Sequence, residues 1–154
     1  MGAMEGLNFI NVKQLSDLSW AAGFIDGDGC IGIARQTFKG RETVSHRLKL
    51  TITQNDREVL EDVENILGEP CFIAKLKRDS SSNRQAYALV YDSAHALRAI
   101  KKLRPFLRRK KYEAEVAEKM WKEGKMGKHP GRKGWPQEIY DIRESWAQKM
   151  SRLK

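Results

Sequence analysis

The order strand, strand, helix occurs twice along the chain, and this repetition limits the fold more than any other feature. Residues 30–38 and 43–53 read as two strands around a turn, and so do residues 71–78 and 84–91. Two neighbouring hairpins give a four-stranded antiparallel sheet. Because the helices that follow them carry one apolar stripe each, they cover one face of the sheet and leave the other open.

Capping residues mark the helices before and after the first hairpin. Ser16 or Asp17 can begin a first helix that runs to about Gly27. Asn55, followed three residues later by Glu58, indicates a capping box at the start of the next helix. We therefore expect one helix ahead of the sheet and another directly after the first hairpin.

Three further helices follow the second hairpin. Ser93 begins the first of them and Pro105 ends it, because proline cannot continue a helix. Residues 107–123 form the second, and Pro136 opens the last. An apolar stripe on the last helix indicates packing, either in the core or between two copies of the chain. The stripe consists of Ile139, Ile142, Trp146, Met150 and Leu153.

The predicted fold is α+β, in the order α-ββα-ββα with extra C-terminal helices. We interpret residues 1–154 as a single domain, because this length suits one hydrophobic core. Residues 1–12 are an N-terminal tail that opens with a short expression remnant. Residues 124–135 are a basic, glycine-rich loop, and residues 136–154 are the C-terminal helix.

Neither cysteine usage nor hydropathy points to a secreted or membrane protein. Cys30 and Cys71 are too few and too far apart for a disulfide framework or a zinc site. No apolar run is long enough to span a membrane, and no signal peptide is visible. We therefore expect an intracellular protein, cytoplasmic or nucleoid-associated, or organellar if its gene is organellar.

Positive charge is concentrated in one part of the chain. The net charge is +9, from 29 Lys and Arg against 20 Asp and Glu. Residues 104–133 hold 11 of the basic residues and 4 of the acidic ones. A local surplus predicts a polyanionic partner, most often nucleic acid, although a soluble protein that is merely basic is the alternative.

The open face of the predicted sheet carries polar and basic side chains. In the second strand the apolar positions are Val44, His46, Leu48, Leu50 and Ile52, and the polar positions alternate with them. In the third strand we expect Phe72, Ala74 and Leu76 on the covered face. In the fourth strand we expect Tyr87, Leu89 and Tyr91 there. A polar, positive sheet face of this width fits the major groove of DNA.

Small residues recur every four positions along the first helix. Ser19, Gly23 and Gly27 therefore share one helix face. A glycine inside a helix costs roughly 1 kcal/mol, and close approach of another helix can offset that cost. Because the chain has one such helix, we expect its partner to be the same helix of a second copy, related by a two-fold axis.

This packing would place Asp28 beside its symmetry mate. Two converging carboxylates repel unless cations lie between them, and Mg²⁺ prefers such oxygen ligands. The Asp-Gly-Asp-Gly segment at residues 26–29 is otherwise typical of a plain turn. An EF-hand loop is a poor match, because Thr37 stands where that loop needs Glu. Asp26 is either a second metal ligand or, as we favour, a structural hydrogen-bonding residue.

The segment Ala21 to Gly29, followed by Cys30-Ile31-Gly32-Ile33, resembles the signature of the LAGLIDADG homing endonucleases. The resemblance extends from Leu18 to Tyr112 through the strand-strand-helix pattern, with Ala21 where the family usually has Leu. It implies a saddle-shaped sheet. One copy of the motif implies a homodimer that binds a long, pseudo-palindromic site in double-stranded DNA.

The resemblance also implies catalytic roles. Asp28 would bind the metal with help from the carbonyl of Gly27, and Gln54 would lie near the nucleophilic water. Lys110, which follows the Pro-Phe-Leu segment, would lie near the scissile phosphate. A basic residue soon after the glutamine is also usual, and Arg57 is near that position. Mg²⁺ would be the cofactor, Mn²⁺ or Ca²⁺ would substitute for binding, and no organic cofactor is implied.

Further polar residues are candidates for contacts with DNA bases or phosphates. On the strands these are Gln36, Ser45, Arg47, Lys49, Thr51, Lys75, Lys77 and Arg84. Beyond the sheet, the residues expected to contact phosphates include Arg108, Arg109, Lys111, Lys128, Arg132 and Lys133. The loop 124–134 is equally well explained as a flexible connector with solvated charges.

The sequence thus predicts a homodimeric, Mg²⁺-dependent, site-specific DNA endonuclease encoded by an intron. A non-cleaving nucleic-acid-binding protein of the same fold, such as an intron maturase, is the alternative. A basic RNA-binding structural protein is a third reading, and the lack of aromatic residues for stacking on the open face argues against it.

Overall fold

The computed structural model describes residues 11–37, 39–40, 44–78 and 84–154. Almost all of the predicted N-terminal tail, and the predicted turn at residues 79–83, lie outside these ranges. In chain order the elements are α1 (Val12–Asp28), β1 (Gly29–Thr37), β2 (Val44–Gln54), α2 (Arg57–Leu67), β3 (Phe72–Lys75), β4 (Tyr87–Asp92), α3 (Ser93–Leu103), a 3-10 turn (Arg104–Phe106), α4 (Lys111–Glu123) and α5 (Gln137–Arg152).

The four strands form one antiparallel sheet in the order β1-β2-β4-β3, which confirms the predicted α+β fold. Leu50 pairs with Tyr91 and Ile52 with Leu89, and all four side chains are buried on the helix-covered face. Three small or branched residues of α1 pack into the same core as these strands, namely Ala21, Ala22 and Ile25. No helix in the described part of the chain is long and apolar enough to cross a membrane.

Helix α1 begins earlier than the predicted start at Ser16 or Asp17. Asn11 is its N-cap, and its side-chain oxygen accepts a hydrogen bond from the backbone N–H of Gln14 over 2.8 Å. The Gln14 side chain accepts in turn from the Asn11 backbone N–H over 3.0 Å. This reciprocal capping box fixes the helix start and shortens the predicted tail.

Two other helix starts differ from prediction. Asp56, not Asn55, caps α2, because its carboxylate accepts hydrogen bonds from the N–H groups of Glu58 and Val59. Helix α4 begins at Lys111 instead of residue 107, because Leu107 is extended and buried in the core.

The predicted third strand is wrong in both length and orientation. It spans only Phe72–Lys75, and Ile73 pairs with Leu89 on the covered face. Phe72 is 53% exposed on the opposite face, and Leu76 lies beyond the strand. Alternation could not settle the orientation, because three consecutive residues of this strand are apolar. Pairing with β4 and packing of Ile73 on the core decide it instead.

The C-terminal helix α5 packs on α4, β1 and β2, so its stripe belongs to the core. Ile139 and Met150 are buried as expected, whereas Leu153 is exposed. Arg143 is also buried, which the stripe did not predict. Its guanidinium donates to the Gly124 carbonyl over 2.7 Å, which ties α5 to the start of the basic loop.

Candidate active site

Asp28 and Gln54 meet at one end of the sheet. Asp28 is the last residue of α1 and Gln54 is the last residue of β2. The Gln54 Nε2 donates a hydrogen bond to Asp28 Oδ2 over 3.0 Å. Gly29 makes the direct passage from helix to strand possible, because a Cβ there would lie 2.9 Å from the Ile25 side chain. Two residues that were selected from the sequence are thus in direct contact.

Asp26 holds the segment that carries Lys110. Its two carboxylate oxygens accept hydrogen bonds from the backbone N–H groups of Arg108, over 2.8 Å, and Lys110, over 2.9 Å. Burial raises the pKa of Asp26, but these bonds, another from the Arg109 backbone and the charge of Lys110 outweigh it and hold the pKa below its ordinary value of 3.8. Asp26 is therefore the structural residue that the sequence analysis favoured.

Lys110 immediately precedes α4 and is half-buried. It lines a cavity of about 300 Å³ together with Gly29 and Cys30, the two residues that follow Asp28. The backbone hydrogen bond to Asp26 therefore places Lys110 at the same end of the molecule as Asp28 and Gln54.

The chemistry of the Asp28 region fits a hard divalent cation. The Asp28 carboxylate is exposed, and the carbonyl of Gly27 lies in the last turn of α1, where no helical N–H pairs with it. A helix C-terminus also carries partial negative charge, which favours a cation. Among the described residues no three His, Cys, Asp or Glu side chains cluster as metal ligands. In the described part of the chain, Asp28 is therefore not a member of a ready-made cluster of metal ligands.

The open sheet face has the composition that was predicted for β1 and β2. Gln36 pairs with Ser45, and Arg47, Lys49 and Thr51 follow on the same face at alternate positions. Asp92, which was not predicted from the sequence, lies in β4 and pairs with Lys49 of β2. Its Oδ2 lies 3.1 Å from a guanidinium nitrogen of Arg47 and 4.0 Å from the Lys49 Nζ. Only the register of β2 with β4 could have revealed this contact.

Three of the other strand candidates lie elsewhere than on this face. Lys75 has the orientation of Ile73 and pairs with Tyr87, so its predicted position on the open face is wrong. Lys77 and Arg84 are exposed but lie outside the strands. The reason is the short, reoriented β3, which ends before Lys77 and leaves the fourth strand to begin after Arg84.

The remaining basic candidates fall into three groups. Arg57 pairs with Glu61 over 3.0 Å and lies over the Tyr87 ring, on the helix-covered side. Exposed cations near the Asp28 end are Arg108, Arg109 and Lys111. Exposed cations of the basic loop are Lys128, Arg132 and Lys133. Of these, Lys128 lines a cleft between α3 and α4.

The predicted contact face of α1 is open to solvent in the protomer. Ser19, Gly23 and Gly27 are all exposed, and a Cβ added at either glycine would meet no atom within 4 Å. Trp20 is 44% exposed beside them and stacks on Phe24 with ring centroids 5.6 Å apart. Small residues and an exposed aromatic ring are typical of a surface that packs against another helix.

Residues 21–117 match the family model described as LAGLIDADG endonuclease. Over 78 residues, 50% of this chain, the sequence is 35% identical to a probable intron-encoded endonuclease, Cox1-I1b, of Schizosaccharomyces pombe; the match spans only 19% of that relative. Two structures of the homing endonuclease I-CvuI bound to DNA, one with Mg and one with Ca present, share the fold with a TM-score of 0.75. Their identities are 23% and 22%, and each comparison covers 94% of this chain and 85% of that one.

Proposed function

The chain belongs to the LAGLIDADG endonuclease family, and on that premise we propose that it is a homing endonuclease that cuts double-stranded DNA at a specific site as a homodimer. The observation that carries the proposal is the hydrogen bond between Gln54 and Asp28 at the exposed end of α1. It joins a carboxylate suited to a metal ion and an amide suited to a water molecule.

Dimerisation would complete the site. One protomer supplies one carboxylate, and the open stripe on α1 leads directly to it. Pairing two copies through Ser19, Gly23 and Gly27 would bring both Asp28 side chains to the two-fold axis. The resulting pair of carboxylates would require cations between them. Mg²⁺ is the divalent ion we propose, with Mn²⁺ or Ca²⁺ able to substitute in binding.

Asp28 and the Gly27 carbonyl would hold the metal in each protomer. When bound, the metal would act as a Lewis acid and lower the pKa of water. Gln54 would orient the attacking water through its amide, and Lys110 would stabilise charge that develops on the phosphate. Asp26 would keep Lys110 in place through the backbone. Each subunit would cut one strand.

The open sheet face would read the DNA in the major groove. Two such faces, related by the two-fold axis, would give a long target with pseudo-palindromic halves. Gln36, Arg47 and Lys49 lie on this face and carry the hydrogen-bonding groups that pair with base edges. The exposed cations around Lys111 and in the basic loop would contact phosphates and make binding sensitive to salt.

The proposal is tested with DNA that spans the uninterrupted insertion site of the gene. The protein is incubated with this duplex in Mg²⁺ or in EDTA, and the products are resolved on a denaturing gel. We expect the protein to cut both strands in Mg²⁺ but not in EDTA, and we expect Asp28→Asn to cut neither strand. Tight binding without cutting in Mg²⁺ or Mn²⁺ would indicate the non-cleaving alternative.

A further inference from the structure

The residues that follow α5, Leu153 and Lys154, reach the edge of the sheet beside the candidate active site. The Nζ of Lys154 donates to the Sγ of Cys30 over 3.1 Å. A Cβ added to Gly32 would lie 3.0 Å from the same Nζ. Cys30 and Gly32 have the orientation of Arg47 and Lys49, on the open face of the sheet. Helix α5 belongs to the layer of helices that covers the other face. The Lys154 side chain therefore passes around edge strand β1 and brings its charge to the open face.

Glycine at position 32 is what leaves space for this ammonium group. A Cβ there would require the Nζ, at the flexible end of Lys154, to move by a few tenths of an ångström. The cysteine thiol is only a weak hydrogen-bond acceptor, and Cys30 is exposed. The contact therefore costs little to break, and the ammonium retains donors for a stronger acceptor.

Lys154 belongs to a pocket in which cations outnumber acids. The cavity of about 300 Å³ beside Asp28, which we call the edge pocket, is lined by three cationic side chains, Arg109, Lys110 and Lys154, and by one acid, Glu113. Within the described ranges none of these cations has a carboxylate oxygen within 4.0 Å, whereas Arg35, Arg98 and Arg104 each have one. Cations that outnumber the acids around them attract an anion.

We propose that the edge pocket binds a backbone phosphate of the DNA substrate and that Lys154 is one of its direct contacts. The inference rests on the proposed function, and it assigns to Lys154 a role that the strands and the Pro-Phe-Leu segment do not fill. The anion is a phosphodiester of the duplex, because the pocket starts at Gly29, directly after Asp28, and Lys154 lies on the face of Arg47 and Lys49. Lys154 positions the strand and leaves the chemistry to other groups.

The test compares Lys154→Met with Arg152→Met in the full chain. Arg152 is exposed on the same helix end but does not line the pocket. Affinity for a short duplex is measured in Ca²⁺ at several salt concentrations. Loss of one phosphate contact should reduce the slope of log K against log salt by about 0.9 in Lys154→Met. The slope should be unchanged in Arg152→Met and restored in Lys154→Arg.

Cleavage kinetics give a second readout. In Lys154→Met the apparent KM for DNA should rise several-fold while kcat stays near that of the parent, because the residue binds and does not react.

If the parent cuts DNA but Lys154→Met has the same salt slope and the same KM as the parent, the inference is overturned and the proposed function stands. Inorganic phosphate that competes with parent and Lys154→Met alike would also count against it. A parent that binds duplex but never cuts would refute the proposed function and leave the slope comparison decisive. A parent that binds no duplex would overturn both.

Discussion

The amide of Gln54 donates to Asp28 Oδ2 over 3.0 Å and thereby joins the ends of β2 and α1. These residues are 26 positions apart in the chain, and both were selected from the sequence. The contact leaves the second carboxylate oxygen of Asp28 available to another ligand. It also brings the amide carbonyl of Gln54 to the same exposed end of the sheet, where it can accept a hydrogen bond from water.

Replacing Asp28 by Asn should abolish cleavage while DNA binding changes by only a few fold. The substitution removes the charge that a divalent cation requires but keeps the size of the side chain. Binding in EDTA and cutting in Mg²⁺ are measured on the same duplex. Asp17→Asn, on the same helix in an exposed ion pair with Lys13, is the matched control and should cut normally. Residual cutting at the parent rate in Asp28→Asn would refute the assigned role.

Gln54→Glu should make the stability of the protein depend on metal. The substitution sets a second carboxylate against Asp28, so the like charges should cost roughly 1 kcal/mol without cation in this exposed setting. Thermal unfolding at neutral pH should show a lower Tm in EDTA and a larger gain on adding Ca²⁺ than in the parent. Gln54→Leu, which loses the hydrogen bond without adding charge, should show no such gain. Equal calcium responses in all three proteins would contradict the prediction.

Asp26→Asn should destabilise the fold and slow cleavage together. The amide keeps one acceptor oxygen for two backbone N–H groups, and losing one charge-assisted bond costs about 2 kcal/mol. Because the folded-state pKa of Asp26 lies below the ordinary 3.8, its stabilisation is present above 3.8 and is lost as the pH falls through the folded value. Urea unfolding should therefore separate parent and variant at neutral pH and bring them together in acid. If the difference in unfolding free energy between parent and Asp26→Asn did not depend on pH, or if the control Asp62→Asn showed the same difference, the assigned role of Asp26 would be contradicted.

Gly23→Leu should yield a folded monomer. A Cβ added at this position meets nothing within 4 Å, and leucine favours a helix over glycine by roughly 0.8 kcal/mol. It would, however, prevent close approach of a second α1. Sedimentation should show half the mass of the parent, and cutting of both strands should be lost. Gln148→Leu, on the exposed side of α5, controls for added apolar surface. A Gly23→Leu protein that remained dimeric and active would contradict the proposed interface through α1.

The sequence predicted the parts of this fold that depend on strong alternation or on chain-breaking residues. Strand β2 alternates without interruption, and Pro105 ends α3 as expected. Strand β3 failed because Phe72, Ile73 and Ala74 are all apolar, so only pairing with β4 sets their orientation. The open face was therefore predicted correctly from β2, which alternates, whereas Lys75 of β3 was assigned to the wrong face.

In the candidate site too, the residues found from the sequence are those in local motifs, and the residues missed are those in long-range contacts. The motif and the family resemblance selected Asp28, Gln54 and Lys110, and the structure brings the first two into contact. Contacts between elements that are remote in sequence were not visible. Asp92 beside Arg47, and Lys154 beside Cys30, exist only because β4 and α5 return to strands laid down earlier in the chain. Long-range packing, and not local pattern, determines them.

His46 should make the protein less stable as the pH falls below 6.5. Its imidazole is buried in β2, and neither ring nitrogen has a hydrogen-bond partner among the residues that the structure describes; Nε2 lies 3.6 Å from Glu144 Oε1, too far for one. Burial lowers the pKa of His46 from the ordinary 6.5, Arg35 and Arg143 act in the same direction, and the Glu144 carboxylate opposes them only in part. The unfolded chain therefore takes up the proton first. Stability is complete above 6.5 and declines as the pH falls from 6.5 toward the folded-state value.

The His46→Leu variant isolates this contribution, because leucine fills a similar apolar space and does not titrate. Between neutral pH and about pH 5.5, the unfolding free energy of the parent should fall more steeply than that of the variant, by at most about 1.4 kcal/mol per pH unit. Denaturant unfolding at a series of pH values measures both slopes. His129→Leu, exposed in the basic loop, should retain the parent slope. Parallel slopes in parent and His46→Leu would mean that His46 is not the titrating group.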